Sequence, residues 1–353
     1  MADTVSADAP GRVNLIGEHT DYHQGFVLPT LIPQRTRVRL RARADRHVHA
    51  VSTAKGAADY DLGRESRAGS WIDYLQGATA ALARRGIDLG GFDIEIASDI
   101  PVGAGVSSSA ALTVAVLRGV RALFDVRLDD VELAILARAV ETDFVGAPVG
   151  IMDQMACSVG RPGEALFLDT RTLDFQRIAI PASVEFAAID SGVAHEHAGG
   201  GYVVRLRESF DAAAALGVEY LRDATVQDLE RRAASLPPLL ARRARHVVTE
   251  NFRVVQAVDA LRHGDGPRLG RLFKASHQSL RDDYEVSVPA VDRLVEIANR
   301  QNAVFGARMT GGGFGGAVVV AMKPGSARAA ADIVAAYGSS GPESGSLLAI
   351  VGS

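Results

Sequence analysis

The sequence predicts an α+β fold, on a chain long enough for two domains or one large one. Three observations carry this. First, the 353 residues are 47% hydrophobic and 23% charged, the balance of an ordinary globular protein with ample core. Second, the hydrophobic period changes across Pro101-Val-Gly-Ala-Gly-Val-Ser-Ser-Ser-Ala-Ala-Leu112. Before it, Phe92-Asp-Ile-Glu-Ile96 alternates like a half-buried strand; after it, Leu112, Val116, Val120 and Leu123 recur at helical spacing. Third, the second half separates a long helical stretch, Arg205 to Leu272, from strands at 303–309, 317–322 and 347–351, with a further helix at 327–337.

Bulk properties exclude several classes. A formal net charge of −4 and a pI of about 6.2 give no electrostatic footprint for nucleic acid or an anionic membrane. Lysine occurs only at Lys55, Lys274 and Lys323, so no Gly-Lys-Ser/Thr phosphate loop exists. Cys157 stands alone, which precludes an internal disulfide and argues against a zinc cluster. Residues 1–11 lack the basic and apolar regions of an export signal, and no run approaches the ~18 apolar residues of a membrane span, so a cytoplasmic location is expected.

Along the chain, Val13, Leu15 and Ile16 predict a short strand running into a polar turn that crowds Arg12, Glu18, His19, Asp21 and Tyr22 together. That mixture of fork donor, carboxylates and imidazole suits a polyhydroxyl ligand; a solvated loop or a metal site fits the bare pattern equally. Val38, Leu40 and Ala42 alternate with Arg37, Arg39 and Arg41, a strand with one wet face. A helix is expected from Ser70 as its cap, with Leu75, Ala78 and Leu82 inward, and Trp71 reads as core or as a base-stacking ring.

The loop at 103–109 reads as an anion cradle. Gly103 and Gly105 admit close approach, and Ser107 to Ser109 fall where a new helix leaves N–H groups unpaired; a glycine-rich turn with a capped helix is the alternative. Asp129-Asp130 cap the next helix, whose buried stripe is Leu133, Leu136, Val140 and Phe144. Glu141 closes that helix at the end where the dipole disfavours a carboxylate, a hint of a cation. Asp153 is the only acid among the apolar neighbours of 146–156, so it is expected to be paired or to cap a helix. Strands follow at 166–168 and 184–189, with a domain boundary near 177–182. His195-Glu-His197 is too close-spaced for a good zinc site. Finally, the run Thr310-Gly-Gly-Gly-Phe-Gly-Gly316 lets backbone pass near something between two strands.

Three of these stretches together resemble the motifs of the GHMP small-molecule kinases, and the first is similar to the signature of the galactokinase family within them. They are Gly11-Arg-Val-Asn-Leu-Ile-Gly-Glu-His-Thr-Asp-Tyr22, Pro101–Leu112 and Arg308-Met-Thr-Gly-Gly-Gly-Phe-Gly-Gly316. Supporting blocks are 150–154, 190–193 with His195 and Tyr202, and 276–287, so the resemblance spans about residues 9 to 351. It implies a ribosomal-S5-like nucleotide domain over 1–178, a ferredoxin-like α+β domain over 179–353, and an active site in the cleft between them. The implied reaction is ATP- and Mg²⁺-dependent phosphorylation of the C1 hydroxyl of α-D-galactose, giving the 1-phosphate and ADP.

By that resemblance, Gly103, Ala104, Gly105, Val106, Ser107, Ser108 and Ser109 hold ATP, and Ser109 and Glu141 bind Mg²⁺. Asp153 lies against the reacting hydroxyl with Arg12 beside it. Glu18, His19, Asp21, Gly150 and Tyr202 contact the sugar, and Trp71 and Tyr74 fall in the region where the family meets the nucleotide. Implied partners are galactose and ATP, with no nucleic acid and no membrane, on a monomer or weak homo-oligomer. Sister kinases acting on arabinose, N-acetylgalactosamine or galacturonate, and a sensor without catalysis, are the alternatives; the intact Ser109-Ala110-Ala111 argues against the sensor. A dinucleotide-dependent oxidoreductase is disfavoured because Gly103-x-Gly105 is followed by three serines. The chain departs from the family in a shorter stretch before the first motif, in Val149 and Ala317 where cysteines are common, and in His23-Gln24. A fourth departure is Gly199-Gly-Gly201 ahead of Tyr202, which bears most on sugar selection.

Overall fold

A computed structural model describes residues 4–193, 198–232 and 235–352. His195 and His197 lie outside the described residues. In chain order the elements begin β1 (Thr4–Asn14), β2 (Phe26–Val27), β3 (Pro29–Ala42), β4 (His47–Ser52), β5 (Gly56–Asp61), α1 (Asp73–Arg84), β6 (Phe92–Ser98), α2 (Ser108–Leu123), α3 (Asp130–Ala139) and α4 (Met152–Val159). They continue with β7 (Glu164–Asp169), β8 (Phe175–Ala179), β9 (Glu185–Asp190), α5 (Ala198–Leu216), α6 (Val226–Arg232), α7 (Pro238–Arg262), α8 (Gly266–Asp282), α9 (Pro289–Asn299), β10 (Val304–Thr310), β11 (Ala317–Met322), α10 (Ala327–Ser339) and β12 (Ser346–Val351). Two compact units result. The first holds residues up to Arg12, Ile32–Pro101 and Ser107–Gly160; the second holds Val13–Leu31, Val102–Val106 and the chain from Arg161 onward.

In the first unit, strands run in the order β3, β6, β4, β5, with β1 also paired to β3. β3 and β6 are antiparallel, with Val38 opposite Ile96, whereas β6 and β4 are parallel, with Ile94 opposite Ala50. Val38 and Leu40 are buried while Arg37, Arg39 and Arg41 are not, so the one-wet-face reading of this strand holds. α2 lies on the apolar face so closely that a Cβ on Gly119 would sit 2.4 Å from Leu40 Cδ1.

Local signals explain most helix ends. Asp129 caps α3 by accepting from Val131 N and Glu132 N, and Glu132 returns a bond to Asp129 N, a complete capping box. Ser70 does not cap α1, which begins at Asp73; the Asp73 carboxylate instead accepts from the amides of Ala68, Gly69 and Ser70 and ties the preceding loop to the first turn. α3 does not carry Glu141 to a plain C-terminus either. It passes into a π-helical turn, Val140–Val145, that packs on α1 at Gly77, where a Cβ would lie 2.7 Å from Val140 Cγ1.

The second unit is built on an antiparallel sheet in the order β10, β11, β9, β12, with Met309 opposite Val318 and Ala317 opposite Asp190. β11 is apolar throughout and every residue is buried, as a central strand requires. α7 starts at the Pro237-Pro238 break, and β7 pairs antiparallel with both β8 and β2. α8 crosses β10 backbone to backbone: a Cβ on Gly270 would be 2.2 Å from Phe305 O. Gly270→Ala therefore forces the helix off the strand. We expect a loss of about 2–3 kcal/mol of stability by chemical denaturation, against under ~1 kcal/mol for the exposed Gly338→Ala.

Candidate active site

The first unit gathers Arg12, Ser107, Ser108, Ser109, Glu141, Gly150 and Asp153 of the residues expected to act. Arg12, at the end of β1 and 4% exposed, donates Nε (2.9 Å) and Nη2 to Asp153 Oδ1. Asp153 lies in the first turn of α4, where the helix dipole favours a carboxylate. Its other oxygen, Oδ2, accepts from Ser107 Oγ at 2.7 Å. Ser107 can reach because it adopts a left-handed conformation, φ 64° and ψ 44°, as it enters α2. Gly103 and Gly105, with φ of 84° and 73°, give the loop the conformations that side chains resist, and a Cβ at Gly103 would meet nothing within 4 Å. Ala104 and Val106 turn inward and are buried, and Ser108 opens α2.

Beyond Asp153, the π turn places a second acid beside Gln154. Glu141 in the π turn is buried, and Gln154 Nε2 donates to its Oε1 at 2.7 Å. Burial, with the neighbouring Asp153 charge adding, pushes Glu141 up to about 7. The Ser109 hydroxyl lies close enough to Glu141 and Tyr74 to favour the ionised form of each, and Gln154 Oε1 is buried without a partner. Among the described residues no three histidine, cysteine or acidic side chains form a metal cluster. As ligands these side chains offer oxygens, a carboxylate, a hydroxyl and an amide oxygen, the donor set of a hard divalent cation that completes its shell from water and phosphate. Gly150 ends the turn that leads into α4 and is half-buried, while Trp71 precedes α1, half-buried. Cys157 is a buried free thiol.

The second unit gathers the remaining candidates around the polar turn. His19 is buried in a left-handed conformation (φ 63°), with Nδ1 3.0 Å from Tyr22 Oη. Its Nε2 is buried without a partner, and burial holds the ring neutral by pushing it down to about 3. The rings of Tyr284 (4.8 Å between centroids) and Tyr202 (5.7 Å) flank it, and Tyr22 Oη lies 2.6 Å from Tyr284 Oη. Asp21 is half-buried at the start of a 3-10 turn, and its Oδ1 accepts from Tyr22 N at 3.0 Å. Tyr202 stands on α5 above the glycine run; a Cβ at Gly201 would lie 2.7 Å from Phe314 Cζ, so glycine there makes room for that ring.

The Glu18 carboxylate meets the end of β10. Its Oε1 accepts from Thr310 Oγ1 (3.0 Å) and Gly311 N (3.1 Å), its Oε2 accepts from Arg308 Nη2, and the residue is 1% exposed. Arg308, Glu250, His246 and Tyr284 are residues that the sequence does not single out. Tyr284 and Arg308 fall inside motif blocks, but Glu250 and His246 sit on a helix whose pattern reports only its buried face. A groove of about 780 Å³ on the arginine-bearing face of the first unit, bordered by Arg35, Arg37, Arg39 and Glu95, is lined by none of these residues.

Comparisons with known proteins converge. The model of the GHMP kinases N terminal domain matches residues 73–161, that of the GHMP kinases C terminal matches 257–340, and the galactokinase galactose-binding signature matches 2–42. The chain is 45% identical over 321 residues to the galactokinase of Chloroflexus aggregans, covering 89% of this chain and 82% of that protein. It is 44% identical over 320 residues to the galactokinase of Roseiflexus sp., covering 88% and 81%. The crystal structure of Lactococcus lactis galactokinase complexed with galactose superposes with a TM-score of 0.94 at 30% identity, over 99% of this chain and 94% of that one. Methanococcus jannaschii mevalonate kinase shares the fold, with a TM-score of 0.70 at 18% identity over 100% and 99%.

Proposed function

The chain belongs to the galactokinase family of the GHMP kinases, and from that premise we propose that it transfers the γ-phosphoryl group of ATP to the C1 hydroxyl of α-D-galactose. The two-domain GHMP fold and a kinase activity come with the family. The finer assignments are ours: 1–178 as nucleotide domain, 179–353 as its partner, and a cytoplasmic monomer or weak homo-oligomer. No described helix is long and apolar enough to cross a membrane.

The observation that carries the reading is the Asp153 carboxylate, oriented on one oxygen by Arg12 and on the other by Ser107, with a side chain still 29% exposed. An acid so held keeps a free lone pair for a hydroxyl. As the sugar O1–phosphorus bond forms and the β–γ bridge breaks, Asp153 takes the hydroxyl proton and ADP leaves with the bridging electrons. Arg12 balances the charge on Asp153 and faces the transferred phosphoryl group. Residues 103–109 bind the ATP phosphates through their amides. His19, Asp21, Gly150 and Tyr202 receive the sugar, the neutral His19 Nε2 pairing with a hydroxyl.

Glu141 and Ser109 would hold Mg²⁺, which neutralises phosphate charge when bound; a buried acid at odds with its surroundings and an orphaned Gln154 Oε1 fit such an ion. Glu141→Gln is expected to raise the Mg²⁺ concentration for half-maximal rate by about tenfold or more, read from Mg²⁺ titrations at saturating ATP and sugar. The reaction itself is tested by ADP release from galactose and MgATP. No ADP above the sugar-free background would refute it, and kcat/KM across galactose, glucose, arabinose, N-acetylgalactosamine and galacturonate reads the selectivity.

A further inference from the structure

The turn that follows α8, residues 283–286, presents four consecutive peptide carbonyls to other elements. Asp283 O accepts from Arg243 Nη1 at 2.6 Å, and Tyr284 O from Arg205 Nε at 2.7 Å. Glu285 O accepts from Arg205 Nη2 at 3.3 Å, and Val286 O from the amide of Phe314 at 2.7 Å. Carbonyls beyond a helix end have no donor within the helix; two arginines and one amide supply it here. The turn also needs the support. Glu285 has φ 54°, a left-handed conformation that a residue with a Cβ keeps only where its surroundings over-determine it. Its carboxylate is fixed as well, with Oε2 accepting from Arg243 Nη2 (2.6 Å) and Oε1 from Arg242 Nη2 (2.9 Å).

Arg243 stands on α7 and is 1% exposed. Besides the two bonds to the turn, its Nε donates to Glu208 Oε2 at 2.7 Å, and the same oxygen accepts from Arg205 Nη1 at 2.9 Å. Glu208 and Arg205 both belong to α5, so Arg205 ties that helix to the turn directly and Arg243 ties it through Glu208. Two links carry the tie to Tyr202. Tyr202 precedes Arg205 by three residues, which puts both on one face of α5. Phe314, whose amide holds Val286 O, lays its ring where a Cβ on Gly201 would be 2.7 Å away, and the Tyr202 ring covers Gly312, where a Cβ would lie 3.4 Å from its Cδ2.

We propose that Arg243 is a positioning residue for sugar binding: by holding the 283–286 turn and Glu208 together it fixes the first turns of α5 and the third-motif loop, and so the place of the Tyr202 ring. This rests on the reading of Tyr202 as a sugar contact. Arg243 is suited to the task because its planar fork serves a carbonyl and two carboxylates in separate directions at once, which an ammonium point charge does not.

A mutant cycle tests the assignment, built from Arg243→Lys, which keeps the charge and removes the fork, from Tyr202→Ala, and from the double Y202A/R243K. Arg243→Lys is expected to raise the galactose KM about fivefold or more while the ATP KM stays within about twofold, and to speed amide hydrogen exchange at 202–206 and 283–286. Because the arginine acts through the Tyr202 ring, the galactose KM of the double variant should lie within about twofold of that of Tyr202→Ala alone. Increases that multiply in the double variant overturn the proposal, since they mark two independent effects. A wild-type galactose KM in Arg243→Lys overturns it too, as does an equal rise for both substrates or unchanged exchange. Where Arg243→Lys does not fold, Glu208→Gln, which loosens α5 and leaves Arg243 on the turn, takes its place in the cycle and is read the same way. A wild-type galactose KM in Tyr202→Ala refutes the sugar-contact reading of that residue, and this proposal with it. If the wild-type chain phosphorylates no galactose, the proposed function fails, and hydrogen exchange in Arg243→Lys still decides whether the arginine holds the two segments.

Discussion

Asp153→Asn lowers kcat by about 10²–10⁴-fold and leaves the fold intact. The expectation follows from what asparagine keeps and what it loses. Its carbonyl oxygen still accepts from Arg12 Nε and Nη2, where Oδ1 does now. Its amide nitrogen takes the place of Oδ2, and the Ser107 hydroxyl turns from donor to acceptor without moving. Packing around the first turn of α4 is therefore preserved, and thermal melting should show a transition of ordinary cooperativity. What disappears is the carboxylate oxygen proposed to take the proton of the sugar hydroxyl, and the negative charge that Arg12 balances. Galactose and ATP KM should move little, because the other proposed sugar and phosphate contacts are left in place. A kcat within a few-fold of the wild type would remove Asp153 from the chemistry.

Local signals made much of this legible beforehand. The change of period across Pro101–Leu112 places a strand, a loop and a helix where β6, 103–107 and α2 stand. Asp129 before a Glu at the third helical position is a capping box on sequence alone, and it forms. The expectation that Asp153 needs a partner is met by Arg12, 141 residues away. Other features were closed to such reading for physical reasons. β1 begins at Thr4 and carries Pro10, so only its apolar end near Val13 looks like strand. The β4–β5 hairpin exposes His47, His49, Asp59 and Asp61, which pair across it and leave few apolar positions to count. Among the three serines of the second motif, Ser107 is the one that touches Asp153, and this depends on a left-handed backbone that nothing in its own side chain announces. The ion pair of Glu18 was equally hidden, because the cation that meets it lies 290 residues downstream.

That cation sets the second large effect: Arg308→Met is expected to cost about 3–5 kcal/mol of stability. Methionine matches the aliphatic stem but leaves Glu18 with no countercharge and deprives Glu250, 3.8 Å away, of one of its two. Both acids are at most 1% exposed, so neither can be rehydrated without opening the site. The loss should depend on pH in a defined direction. Burial already raises the Glu18 pKa even with Arg308 beside it, and removing Arg308 raises it further. A group raised in the folded state contributes stability at low pH that is lost as pH rises through its folded value. Against burial, which pushes the other way, Arg253 and Arg308 draw Glu250 down to about 2, so it too moves upward once Arg308 is gone. Chemical denaturation should therefore find Arg308→Met further below the wild type at about pH 8 than at about pH 5. The double variant E18Q/R308M should recover part of the gap, because removing both charges removes the burial penalty that one leaves behind. An equal deficit at both pH values, or a double variant no better than the single, would show that Arg308 acts through its carbonyl and hydroxyl contacts and not as the countercharge of a buried acid.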